Sequence, residues 1–373
     1  VSGAPHLVHG MGTELEAPVW PAITAEEAGA VLGRFAGAGR LIALQWHSPR
    51  PFSAATLVEA EGGRFILKRH HHRLRSPEAL AQEHGFIAHL RAAGVNVPEV
   101  IEAQGGTVLA QGEWTYELHR LSPGLDLYRD RPSWTGFLTP NHARAAGRAL
   151  AGLHRAAQDY AAPPRGIDPL IAGWTILPAP DPAAAARAYV AARPGLSAFV
   201  HGRAWEEELA GVLGAAAPDL AAQPPMWTHN DWHPSNLLWT LGGEVATIFD
   251  FGLATQTCAL HDLATAIERS AIPWLEMADG APIKGDVAAA LGLIRGYCDV
   301  RALSLADIDM TIDLLRLVHV EFALSEVDYF AGLLNDRAQA ALAWDGYLIG
   351  HAHWFASAGG QAFLADLRRE VRG

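Results

Sequence analysis

The hydrophobic pattern of the chain changes character once, near Leu121, and that change limits its architecture more than any other feature. Before it, residues 41–46, 54–59 and 65–68 read as strands. The last of these is entered by the turn Glu61-Gly62-Gly63-Arg64. Two more strands are predicted near Val100 and over 114–121. Thr24-Ala25-Glu26-Glu27 has the form of a capping box and predicts a helix to about Ala38. Ser76-Pro77-Glu78 supplies an N-cap, a first-turn proline and an early acid for a second helix ending at Gly94. Beyond Leu121 the 3.6-residue period takes over. Helices are predicted over about 139–158, 182–193, 203–215, 283–298, 305–323, 334–356 and 360–370. The expected class is therefore α+β. A small antiparallel sheet with one inserted helix, residues 1–121, precedes a larger and mainly helical part, residues 122–373.

Composition removes several function classes. The 373 residues include 28 basic and 40 acidic side chains, a formal charge of −12. That balance opposes a nucleic-acid partner, which needs a basic surface. No run approaches the roughly 20 apolar residues that cross a bilayer, so no membrane association is expected. No secretory signal is seen at the N-terminus. Cys258 and Cys298 are too few for a disulfide framework, and a reduced, cytoplasmic setting is expected. Oligomeric state is not readable from the sequence.

Inside the helical part, residues 227–252 break the pattern, with short apolar strands flanking polar clusters. They contain Trp227-Thr228-His229-Asn230-Asp231-Trp232-His233-Pro234-Ser235-Asn236 and, after a hairpin through Gly242-Gly243, Asp250-Phe251-Gly252. The hairpin would return Asp250 beside Asn236. Asp231, Asn236 and Asp250 then offer three hard oxygen groups close together. Phosphoryl transfer needs such a set: one carboxylate to take a hydroxyl proton, and an amide oxygen with a second carboxylate to hold magnesium against a triphosphate.

In these residues the chain resembles the aminoglycoside phosphotransferase and choline kinase-like superfamily. His229, Asp231, Asn236 and Asp250 match its signature in order and spacing, and Asp250-Phe251-Gly252 looks like the protein-kinase magnesium motif. Asn230 departs from the family's usual glycine. The resemblance implies a bilobal protein-kinase-like fold, with Asp231 as catalytic base, His229 anchoring the loop, and Asn236 with Asp250 as Mg2+ ligands. It implies Lys68, at the end of the third strand, on the ATP phosphates and positioned by Glu83. Ser53, in a loop without glycine, would donate to a phosphate. Adenine would bond to the linker at Arg120 to Ser122. His261-Asp262-Leu263-Ala264 is similar to the family's helix start, with Asp262 capping or bracing rather than reacting. The implied reaction moves the γ-phosphoryl group of ATP to a hydroxyl of a small molecule, of the aminoglycoside, choline, homoserine or sugar kind.

Two other readings compete. His229, Asp231 and His233 alternate as zinc ligands do and would suit a metal-dependent hydrolase. A nucleotide-binding scaffold without turnover is the second. The run from Lys68 to Arg75 reads as a solvated loop. Most of the twelve tryptophans read as core, with Trp232 set apart because it adjoins Asp231. The acids after Trp274, including Glu276, Glu321, Glu326 and Asp328, are candidates for holding a cationic amine.

Overall fold

The computed structural model describes residues 6–9, 14–166, 168–214, 220, 222–277 and 282–373. The chain divides into two compact units, Val1–Pro123 and Gly124–Gly373.

The first unit is built on a five-stranded antiparallel sheet. Its strands are β1 (Leu41–His47), β2 (Ala54–Ala60), β3 (Gly63–His71), β4 (Leu109–Gln111) and β5 (Trp114–Arg120), in the order β1-β2-β3-β5-β4. Side chains alternate across a strand. Phe65 and Leu67 of β3 therefore enter the core with Val58, Tyr116 and Leu118. Helix α1 (Ala25–Leu32) adds Ala28, Val31 and Leu32 to that core. Helix α2 (Pro77–Ala92) buries Leu80, Glu83, His84 and Ile87, one face at i, i+3, i+4 and i+7 spacing.

Three expectations need correction in this unit. Helix α1 stops at Leu32, well short of Ala38. Thr24 does cap it by accepting the Glu27 N–H, but the Glu27 carboxylate turns to Arg69 at 2.7 Å and the Tyr116 hydroxyl at 2.8 Å. No strand forms at Val100, which makes only an isolated bridge to His119. Third, β3 does not end at Lys68 but runs to His71. Arg69 and His70 are buried and paired, not solvated, because Glu27 and Glu117 meet them from elsewhere in the fold.

The second unit is mainly helical. Helix α3 (Pro140–Ala156) packs along α5 (Val287–Cys298) with near-contact of their backbones. A Cβ at Gly147 would stand 2.2 Å from the Leu293 carbonyl oxygen, and one at Gly296 would stand 1.9 Å from that of Arg144. Glycine is thus required on both sides. Between these helices in sequence lie two small antiparallel strand pairs, one enclosed by the other in sequence. Strand β6 (Met226–Thr228) pairs with β9 (Thr255–Thr257), and β7 (Leu237–Trp239) with β8 (Val245–Ile248). Helix α4 (Ala259–Ala271) follows, and every one of its residues is buried. The helix expected over 305–323 is broken into Leu305–Leu314 and α6 (Val320–Asp328). That expected over 334–356 contains a π-helical stretch, Leu342–Ile349. The expected helix over 203–215 spans Trp205–Leu213, and its predicted last residue lies outside the described residues. Among the described residues no helix is long and apolar enough to cross a membrane.

Candidate active site

The polar loop is shaped by a carboxylate that does not belong to it. Asp262, in the first turn of α4, is fully buried. Its Oδ2 accepts the His229 N–H at 2.9 Å, and its Oδ1 accepts the Asn230 N–H at 2.8 Å. His154 of α3 reaches Oδ2 through Nε2 at 2.9 Å, and the Tyr297 hydroxyl of α5 holds His154 Nδ1 at 2.8 Å. The packed pair α3–α5 therefore fixes Asp262, and Asp262 fixes the loop. Burial alone would raise its carboxyl, but His154 and His229 hold it below the usual range.

His229 is an anchor in this geometry. Its Nε2 donates to the Phe249 carbonyl at 3.0 Å, and its Nδ1 accepts the Asp231 N–H at 3.2 Å. These two bonds assign the tautomer. They also commit both ring nitrogens, which removes the zinc-hydrolase reading of His229, Asp231 and His233 as a ligand set. Trp232, set apart above, is fully buried with its ring edge-on to His229, so it is core like most of the others.

Asn230 explains its own departure from glycine. Its φ is +59°, in the left-handed region that glycine enters freely and asparagine tolerates best among other residues. Its Oδ1 accepts from the Thr228 and Thr257 hydroxyls, each at 3.0 Å, and its Nδ2 reaches the Leu253 and Thr255 carbonyls at 3.3 Å.

Asp231 follows, with its side chain partly exposed. Asn236 Nδ2 donates to its carbonyl at 2.9 Å and its Oδ2 at 3.0 Å. That commits the amide nitrogen and leaves Oδ1 as the Asn236 atom suited to a cation. The Phe249 N–H donates to the Asn236 carbonyl at 3.1 Å, so the hairpin brings Asp250, the next residue, beside Asn236. Asp250 too has a left-handed φ, +62°. An amide oxygen and a carboxylate together are a donor set that fits magnesium.

Sequence reasoning missed Arg269. It lies one helical stretch beyond Asp262 on α4, is itself buried, and forms an ion pair with Asp231 Oδ1. His233 Nε2 stands 3.5 Å from the same oxygen. Burial would raise the Asp231 carboxyl, yet Arg269 and His233 hold it well below the usual carboxylate range. Of the four acids named for an amine, Glu276 is exposed. Glu321 accepts the Thr175 and Ile176 N–H groups at 2.7 Å. Asp328 accepts the Leu196 N–H at 2.9 Å and pairs with Arg193 at 3.6 Å. Glu326 is the one whose charge bears on Asp231 and Arg269.

In the first unit, Lys68 stands directly across from Glu117 in the β3–β5 register, and its Nζ lies 3.9 Å from Glu117 Oε1. Glu117 was also missed, because the pairing depends on register between distant strands. His70 Nε2 lies 3.0 Å from Oε1, while His84 and His119 reach Oε2 at 2.8 and 2.6 Å. Burial opposes the Glu117 charge, but His119 and Lys68 keep it ionised, well below the usual range. Glu83 is buried on the same helix as His84. Ser53 precedes β2 in an irregular segment. The Arg120 side chain is taken by Glu99 at 3.1 Å. The N–H groups of Arg120 and Leu121 donate to Glu99 and Arg64 carbonyls. Neither amide is left for adenine, and Ser122 is the first linker residue beyond these bonds.

Residues 49–303 match the model of the phosphotransferase enzyme family. The chain belongs to that family. It is an ATP-dependent small-molecule kinase. The homoserine kinase of Caulobacter sp. (strain K31) is 27% identical over 310 residues, covering 83% of this chain and 88% of that protein. The microcompartment-associated aminopropanol kinase superposes with a TM-score of 0.52 at 18% identity, covering 90% of this chain and 99% of that one. Amicoumacin kinase hAmiN, solved with AMP-PNP, Ca2+ and Ami, gives 0.51 at 15% identity, covering 93% and 91%. The likeness in fold is to kinases, in keeping with the α+β, kinase-like architecture.

Proposed function

We propose that the enzyme transfers the γ-phosphoryl group of ATP to the hydroxyl of a small amino alcohol, with Asp231 as the base. The observation that carries this reading is the Asp231–Asn236–Asp250 grouping. Asp231 is presented by a braced loop and bonded by Asn236, and the Phe249 N–H bond to the Asn236 carbonyl sets Asp250 as the residue that follows in the hairpin. Asn236 Oδ1 and Asp250 would hold Mg2+, which when bound neutralises phosphate charge and orients the γ-phosphoryl group. Lys68, tied to Glu117 and positioned with Glu83, serves the α- and β-phosphates. Ser53 and Ser122 complete the nucleotide contacts. Relatives named homoserine kinase support an amino alcohol as acceptor over a plain sugar.

Asp231→Asn tests the assignment. Turnover with an acceptor that the wild type phosphorylates should fall by about 10²–10⁴-fold, the usual worth of a general base. Nucleotide affinity by calorimetry should change little. Unchanged turnover would remove Asp231 from the chemistry. Asp250→Ala should weaken nucleotide binding in Mg2+ but not in its absence.

A further inference from the structure

Buried polar atoms are satisfied at Asp262, Glu321 and Asn230; among those left without a hydrogen bond, several gather in a patch around Arg269, beside Asp231. Arg269 Nε, Glu268 Oε2 and Glu326 Oε2 are all buried and make no hydrogen bond. Glu326 is 2% exposed and Arg269 is 2% exposed. An unsatisfied buried polar group costs about 1–3 kcal/mol, more when charged. Several together beside a reactive carboxylate mark a place built for something else to bind.

The patch carries both signs. The charges of Asp231, Glu268 and Glu326 all bear on the Arg269 guanidinium. Glu268 is half engaged, since its Oε1 takes His351 Nδ1 at 2.7 Å. Glu326 has no such partner at Oε2. The guanidinium rests against the rings of Phe322 at 4.8 Å and Trp134 at 5.1 Å. Trp134 is half-buried, packs on Tyr347 at 5.2 Å, and is held at a φ of +64°, a strained value for tryptophan. It is the cover that an entering ligand would displace.

Building on the phosphotransfer reading above, we propose that this patch is the acceptor subsite and that it takes a hydroxyl-bearing amino acid. Glu326 receives the ammonium group, Arg269 receives the carboxylate, and the arriving carboxylate draws Arg269 away from Asp231. Before the acceptor binds, Asp231 Oδ1 is occupied by the Arg269 guanidinium and is not open to a hydroxyl. A bidentate carboxylate is a strong competitor for that guanidinium. Once released, Asp231 takes the acceptor's hydroxyl proton. The acceptor oxygen bonds to the γ-phosphorus as the bond from that phosphorus to the bridging oxygen breaks, leaving ADP. Water brings no carboxylate, so ATP hydrolysis stays suppressed.

The test compares three acceptors on the full chain with ATP and Mg2+: homoserine, 3-aminopropan-1-ol, which lacks the carboxylate, and 4-hydroxybutyrate, which lacks the amine. Homoserine should exceed each by about 100-fold or more in kcat/KM, since a site with buried polar groups rejects analogues that leave them unpaired. The aminopropanol should lose mainly kcat and the hydroxybutyrate mainly KM. Arg269→Gln should raise acceptor-free ATP hydrolysis and erase the preference for homoserine over the aminopropanol. Arg269→Lys, which keeps a cation on Asp231, should keep hydrolysis low while raising the homoserine KM. Its thermal melt shows whether the position tolerates change. Equal kcat/KM for homoserine and the aminopropanol, or Arg269→Gln with the preference intact, overturns the proposal. Turnover of other alcohols but none of these three also overturns it, while sparing phosphotransfer itself. Failure of the underlying phosphotransfer reading shows instead as undiminished turnover by Asp231→Asn.

Discussion

Asp262 and Glu326 are both carboxylates buried in the helical unit, and they are treated in opposite ways. Asp262 accepts two backbone N–H groups and an imidazole, and its carboxyl is held below the usual range. Glu326 lacks a hydrogen bond at Oε2. Burial pushes its carboxyl up to about 8, against the pull of Arg269. On the proposal above, the difference separates an acid that finishes the fold from one that waits for a ligand. The first stabilises by being complete; the second is left incomplete near Arg269, the ion-pair partner of Asp231.

The largest effect should come from breaking the finished acid. Asp262→Ala leaves His154 and two backbone N–H groups buried without an acceptor. Removing one side of a buried charged pair costs about 3–5 kcal/mol. Urea unfolding should show a loss of that size, with activity falling too, because the His229–Asn230 backbone is released. Glu326→Gln should instead leave stability unchanged or improve it, while raising the acceptor KM. If both substitutions destabilise alike, the contrast between the two acids is wrong.

The pH dependence of stability sharpens the same contrast at smaller amplitude. Glu326 titrates at about 8 in the fold, and Glu268 at about 7, pushed up by burial against His319 and Arg269; the ordinary value is 4.5. The folded state therefore keeps protons that the unfolded chain releases. Their contribution is full below the unfolded value and is lost as pH rises through about 7 and then about 8. Asp262 acts in reverse, its contribution being lost only as pH falls below the usual carboxylate range. Urea midpoints should thus decline from pH 5 to 8.5, and Glu326→Gln should flatten the slope. Acceptor KM should move the other way, falling as pH approaches 8, because ammonium binding needs Glu326 ionised between Arg269 and Asp231. A flat stability profile in the wild type would place Glu326 in a wetter setting.

The geometry of the loop around Asp231 was legible because its polar residues fall within a short span. His229, Asp231, Asn236 and Asp250 are brought together by one turn and one hairpin, both marked by local residues. Arg269, Glu117 and His154 were not legible as site partners. Each meets its carboxylate or lysine through helix packing or strand register, which short-range patterns do not encode. The run Lys68 to Arg75 misled for a related reason. Its charges look solvated until Glu27 and Glu117 arrive from distant parts of the sequence to pair with them. The helix over 305–323 looked continuous because apolar spacing persists across 314–320, although the backbone turns there. Periodicity reports which face is buried, not whether the axis bends.

Asn230 gives the smallest prediction and isolates backbone from side chain. Glycine, the family's usual residue, adopts φ +59° without strain, so Asn230→Gly keeps the backbone but loses the side-chain bonds. The Thr228 and Thr257 hydroxyls lie 2.6 Å apart, so with Asn230 Oδ1 gone one can donate to the other, which limits the loss. A cost of about 1–2 kcal/mol is expected, with kcat reduced less than tenfold. Asn230→Ala loses the same bonds and adds the left-handed penalty of about 1 kcal/mol. The ranking wild type, then glycine, then alanine follows if the loop's turn constrains this position. Alanine as stable as glycine in urea unfolding would mean the side-chain network, not the turn, sets the residue there, and Asp262 would then be bracing a loop free to take another shape.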